Sequence, residues 1–135
     1  VLWIDRCSAP ELDMDNARVQ GGGAHAGQAG GFRGQGVRGH LYEGLEAGHP
    51  DFTTTPISVD SCGSAASHGH CTAGIIFGNG TSHPNARGMA PDAAAYYTTY
   101  SCVQPGLSRW LVIQDVVNTY ECLFTTASWG NARTT

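Results

Sequence analysis

The chain has 135 residues and a mass of 14.2 kDa, enough for one domain whose core buries roughly two-thirds of the unfolded surface. Only 13% of residues are charged and the net charge is −4; all seven basic residues are Arg, scattered from Arg6 to Arg133, which argues against a nucleic-acid binder. No apolar run approaches the ~20 residues of a membrane span, so no membrane partner is expected, and a hydrophobic content of 41% excludes a charge-driven disordered tail.

Residues 1–20 open on Val1-Leu2-Trp3-Ile4 and read as an N-terminal arm, with a short helix over 11–19. Residues 21–36 form a Gly-rich linker; glycine at that density loses too much backbone entropy for a helix or a paired strand. Residues 37–135 are the domain. Within it, 37–42 reads as a short strand, 49–52 as a turn and 53–67 as a polar, turn-rich stretch. A helix is predicted over 68–77, stopped by Gly78-Asn79-Gly80. A loop with Pro84 and Pro91 follows, then a strand over 93–100 whose tyrosines lie part in the core and part on the surface. Ser108 suits the N-cap of a helix through Asn118, in which Trp110, Ile113 and Val117 share one face and are expected to pack in the core. The stretch 122–128 is a further strand. Strand, helix, strand, helix, strand in that order predicts an α/β fold with a parallel sheet built from βαβ units.

Cys7, Cys62, Cys71, Cys102 and Cys122 contain no C-x-x-C pair, which speaks against a zinc knuckle or a redox motif. Disulfides and buried free thiols both stay open, and an odd count leaves one thiol free or paired with another chain. The chain starts at Val1 without a visible signal peptide, which reads as a processed chain or a piece of a longer one.

The stretch His68-Gly69-His70-Cys71-Thr72-Ala73-Gly74 carries the chemical signal. A His at the start of a helix of small residues can present its ring at the carboxyl edge of a parallel sheet, where α/β active sites form. His70 and Cys71 are expected to pack, and His25, His40 and His83 to lie in solvent. A metal site from His68, His70 and Asp60 is the weaker alternative, because His-x-His spacing on a helix points the rings apart.

Four segments in order resemble the subtilisin-like serine peptidases, or subtilases. They are Gly36-Val37-Arg38 through Tyr42-Glu43-Gly44-Leu45-Glu46 to His49-Pro50-Asp51-Phe52, the His68 segment, Gly88-Met89-Ala90-Pro91-Asp92-Ala93, and Ser128-Trp129-Gly130. Together they cover about residues 36–131. The resemblance implies the N-terminal half of a subtilase domain, a secreted endopeptidase that cleaves peptide bonds by acyl transfer, with a peptide or protein as substrate. His68 would be the general base. Ser128, Trp129 and Gly130 would offer backbone to an extended substrate. Asp51 resembles a position that helps bind calcium, so calcium is the one candidate cofactor.

Two departures matter. Aligned without gaps, the family pattern puts Tyr42 where the catalytic Asp belongs, leaving Glu43 next door as the orienting carboxylate, although neighbouring strand residues face opposite sides. The nucleophile segment of the family has no counterpart within the 135 residues. Gly80-Thr81-Ser82 spells part of it, but falls in the loop after the helix and is followed by His83-Pro84. The expected partner is therefore the missing C-terminal half of the domain. The alternative is a non-catalytic module of the same scaffold that self-assembles through exposed sheet edges, with copies of itself as partner.

Overall fold

The computed structural model describes residues 33–60, 65–99 and 109–127. The arm, most of the Gly-rich linker, His25, Cys7, Cys62, Cys102, Tyr100, Ser108 and the Ser128-Trp129-Gly130 stretch lie outside that set. The chain runs β1 (Arg38–Leu41), β2 (Ile57–Asp60), α1 (Ser67–Phe77), a 3-10 turn (Pro84–Ala86), β3 (Ala94–Thr98), α2 (Arg109–Asn118) and β4 (Phe124–Thr126). The four strands form one parallel sheet in the order β2-β3-β1-β4, so the fold is α/β as expected. Among the described residues no helix is long and apolar enough to cross a membrane.

Strand alternation divides the core in two. Leu41 and Ala95 point to one face, where they meet Leu45, Ala93 and the α1 residues Ala73 and Phe77. Their neighbours Tyr42 and Tyr96 point to the other, where they meet Val112 and Val116 of α2 and Cys122. The β2–α1–β3 and β3–α2–β4 crossovers step in the same direction across the sheet yet place their helices on opposite faces. They are therefore of opposite hand, and one of them breaks the right-handed rule that holds for roughly 98% of such connections.

Loop backbone closes the end of α1. The N–H of the C-cap Gly78 donates to Gly74 O, and the N–H groups of Met89 and Ala90 donate to Ile75 O and Ile76 O, at 3.0, 3.1 and 2.7 Å. These bonds satisfy carbonyls that a helix end otherwise leaves orphaned. Gly88 makes the approach possible, since a Cβ there would sit 2.7 Å from Gly74 O and 2.8 Å from Ile76 O.

Four expectations are corrected. The stretch 53–67 contains β2, a four-residue strand at the edge of the described sheet that pairs with β3 and shifts register between Ser58 and Asp60. Its polar, partly exposed sequence carries little strand signal. The face of α2 is also different: Val112 and Val116 are buried, whereas Trp110 is 66% and Val117 52% exposed. The helix carries two apolar stripes, and the branched, smaller valines fit against the sheet. His40 is fully buried at the centre of the sheet. Its Nδ1 meets Thr125 Oγ1 at 2.8 Å and its Nε2 meets Thr98 Oγ1 at 3.0 Å, so one ring ties β1 to both neighbours. Cys71, expected to pack, is instead an exposed free thiol of α1, whereas Cys122 is a buried one.

Burial lowers the pKa of His40 to about 4. Above pH 6.5 the ring is neutral in the folded and unfolded chain alike. As pH falls from 6.5 to 4, the unfolded chain takes up a proton that the folded chain refuses, so stability drops, by roughly 3 kcal/mol at pH 4. Urea unfolding at pH 7 and pH 4 should show that loss, and a His40→Gln variant should show a smaller one; equal losses in both chains would mean His40 is not its source. For α2, Val116→Ala should cost about 1–3 kcal/mol and Val117→Ala less than about 0.5, measured by the same unfolding curves.

Candidate active site

Parallel strands place all their carboxyl ends on one edge of a sheet. Glu43 follows the end of β1, and α1 begins after the end of β2, so the topology brings Glu43 and His68 to the same edge. Glu46, His49 and Phe52 continue the loop beyond. The N–H of Ala66, the N-cap of α1, donates to Gly44 O at 3.3 Å and fixes the helix start against the segment after β1.

His68 Nδ1 lies 2.7 Å from Glu43 Oε1. The carboxylate is buried, its side chain 4% exposed, while the imidazole is 62% exposed. An ionised carboxylate only accepts, so Nδ1 carries the proton and donates, and the lone pair of a neutral ring sits on Nε2. No hydrogen-bond partner for Nε2 occurs among the described residues. The pair is thus a base held from behind by a buried acid and open in front.

Gly69 makes room for this contact. A Cβ at that position would collide with Gly44 O and stand 2.8 Å from Glu43 Cγ. Glu43 Oε2 is buried with no hydrogen-bond partner among the described residues, which is costly for a carboxylate oxygen and leaves one acceptor of the pair unused.

Tyr42, where the ungapped pattern expected a carboxylate, points to the other face of the sheet. Its ring packs in the α2 cluster, 5.8 Å from the His40 ring, and its N–H donates to Thr126 O at 2.8 Å. Burial pushes its phenol above the usual value, with Arg109 opposing and Asp60 adding to the rise. Glu43 is the residue that returns to the α1 side.

The other candidates separate. His70 turns away from His68 and packs edge-on against His49 and Phe52, with ring centroids 4.7 and 5.9 Å away. Asp60 ends β2, and among the described residues no three His, Cys, Asp or Glu side chains are grouped to hold a metal ion. The Asp51 carboxylate accepts the N–H of Ser82 at 2.6 Å, tying the loop after α1 to the turn at 49–52. Ser82 itself lies beyond the far end of α1, past roughly 14 Å of helix from His68. His83 is exposed, as expected. Ser128, Trp129 and Gly130 are outside the described residues. An open cleft of about 320 Å³ lined by Val59, Asp60, Leu111, Val112 and Asp115 lies on the α2 face, and neither His68 nor Glu43 lines it.

Sequence reasoning missed the packing role of Gly69 and the His49–His70–Phe52 cluster. The first had a signal, a glycine directly after the candidate base; the second joins residues whose approach depends on how the 46–52 loop folds back on α1. No protein-family model and no curated protein matches the chain.

Nitrogen-15 spectra of the imidazole rings should find neutral His68 as the Nδ1–H tautomer. Glu43→Gln and Gly69→Ala should each disturb that preference, the first by removing the acceptor's charge and the second by forcing Glu43 aside. A neutral His68 protonated on Nε2 in the native chain would remove the pair.

Proposed function

We propose that the chain is the N-terminal part of a subtilisin-like serine endopeptidase domain, in which His68 is the general base and Glu43 orients it. The observation that carries this reading is the 2.7 Å contact between a buried carboxylate and the Nδ1 of an exposed His at the carboxyl edge of a parallel sheet. The four ordered motif segments support the same family. In this reading Nε2 takes the proton of a serine hydroxyl as that oxygen attacks a peptide carbonyl, and returns it to the leaving amine. The serine lies outside the 135 residues, on further chain or on a partner piece bearing the other half of the domain. Ser128, Trp129 and Gly130 are the residues the resemblance assigns to substrate binding, calcium is the one candidate ion, and the protein works outside the cell.

A second reading, a self-assembling module without catalysis, is favoured by the apolar surface left open. Trp110 is 66% exposed, Leu123 75% and Phe124, on the edge strand β4, 37%.

Native mass measurement of the protein from its source, followed by labelling with a serine-directed phosphonate, separates the two. The peptidase reading expects a longer chain or a bound second piece that carries the label. On that assembly, His68→Ala should lower peptide hydrolysis roughly 10⁴-fold or more, and Glu43→Gln by roughly 10³–10⁴-fold, chiefly in kcat. Oligomers made only of the 14.2 kDa chain, unlabelled and inactive, would overturn it in favour of the second reading.

A further inference from the structure

The triplet Asn79-Gly80-Thr81 is the one Asn-x-Ser/Thr sequence in the chain, since Asn16, Asn85, Asn118 and Asn131 all lack a Ser or Thr two positions on. It falls just past α1, where the loop turns outward: Thr81, Ser82, His83, Pro84 and Asn85 are all exposed. Asn79 is half-buried, and its geometry is already that of a bent acceptor. Its Oδ1 accepts the N–H of Thr81 at 2.8 Å, closing a turn over Gly80. Gly80 has a φ of +80°, and a Cβ there would stand 2.9 Å from Arg87 Cβ, so the middle position is held by the residue that this turn requires.

One proton of the Asn79 amide is engaged, donated to Pro50 O at 3.2 Å. The other is unused by any contact among the described residues. A sugar on Nδ2 replaces one proton and keeps one, so the bond to Pro50 survives modification. The turn also lies at the opposite end of α1 from His68, past roughly 14 Å of helix, which leaves the face of that ring clear.

We propose that Asn79 is an N-glycosylation site. The inference rests on the secreted location argued above, and on nothing about catalysis. The donor class is an oligosaccharide linked through diphosphate to a polyprenol. Asn79 Nδ2 forms a bond to the anomeric carbon, the bond from that carbon to the diphosphate oxygen breaks, the polyprenyl diphosphate leaves with the electron pair, and the displaced amide proton goes to solvent.

The test is expression of the whole chain behind a cleavable leader in an animal cell, with lumenal and secreted material both collected and weighed intact. The native chain should carry one glycan, removable by peptide N-glycosidase, and the release should convert residue 79 by the change Asn79→Asp. Thr81→Ser should keep the glycan. Thr81→Ala should lose it completely while leaving both Asn79 contacts in place, because the Thr81 backbone N–H is untouched; Asn79→Gln should lose it as well. Lumenal or secreted native chain without a glycan overturns the proposal, and so does a glycan that persists in Thr81→Ala. A failed peptidase assay changes none of these masses, so the two readings fail separately.

Discussion

Side-chain alternation at the end of β1 is the constraint on which the rest depends. Leu41 faces α1, Tyr42 faces α2, and Glu43 faces α1 again, just beyond the last paired residue of the strand. Because the strands are parallel, that end of β1 is also the edge from which α1 departs. A carboxylate at 42 would be delivered to the α2 core; only at 43 does it reach the first turn of the other helix. The missing side chain of Gly69 then decides whether the approach closes to hydrogen-bonding distance. Three local facts, a strand register, a topology and an absent Cβ, produce one His–carboxylate pair.

Two buried polar side chains flank this point and are treated differently. His40 has both ring nitrogens matched by threonine hydroxyls from β3 and β4, so its neutral form is satisfied and its charged form is penalised. Hydroxyls can donate or accept, which lets either tautomer of the ring be served. Glu43 has one oxygen matched and one orphaned. A structural carboxylate gains nothing from a buried oxygen left unmatched, whereas a carboxylate that holds a base has its use in the single oxygen that points at the ring. The contrast fits His40 to the fold and is what the proposed reading uses to set Glu43 apart as the group that orients His68.

How much was legible in the sequence followed from how local each signal was. The helix over 68–77, its stop at Gly78 and the strand around Tyr96 are written in adjacent residues, and the parallel sheet follows from their alternation. The His68–Glu43 partnership was legible as a pair of candidates, because the motif supplied one and the neighbouring residue the other. What resisted depended on distant partners. His40 looks like a surface residue until Thr98 and Thr125 are brought to it from 58 and 85 positions away. The face of α2 could not be chosen from periodicity, since Trp110, Ile113 and Val117 make as good a stripe as Val112 and Val116, and only the shape of the surface at Tyr42 and Tyr96 selects between them. β2 escaped because an edge strand held on one side needs little of the apolar alternation that marks a strand.

The exposed apolar side chains follow from the same architecture. Four strands spaced at about 4.8 Å make a sheet close to 19 Å across, and one helix about 10 Å wide covers roughly half of a face. Parallel sheets ordinarily have both faces covered. Here each face carries one described helix, and the uncovered apolar groups lie where that geometry leaves them: Ile57 on the β2 edge, Phe124 on the β4 edge, Leu123 just before it. On β4, Phe124 stacks on Phe77 across the empty side of Gly39, so packing links the β4 edge to α1, the helix that carries His68. Polypeptide added along β4 would therefore be positioned relative to His68 by packing rather than by a flexible tether. On the proposed peptidase reading, a serine supplied from outside these residues would have to be placed by such packing, because a misplacement of about 1 Å between nucleophile and base costs on the order of a hundredfold in rate.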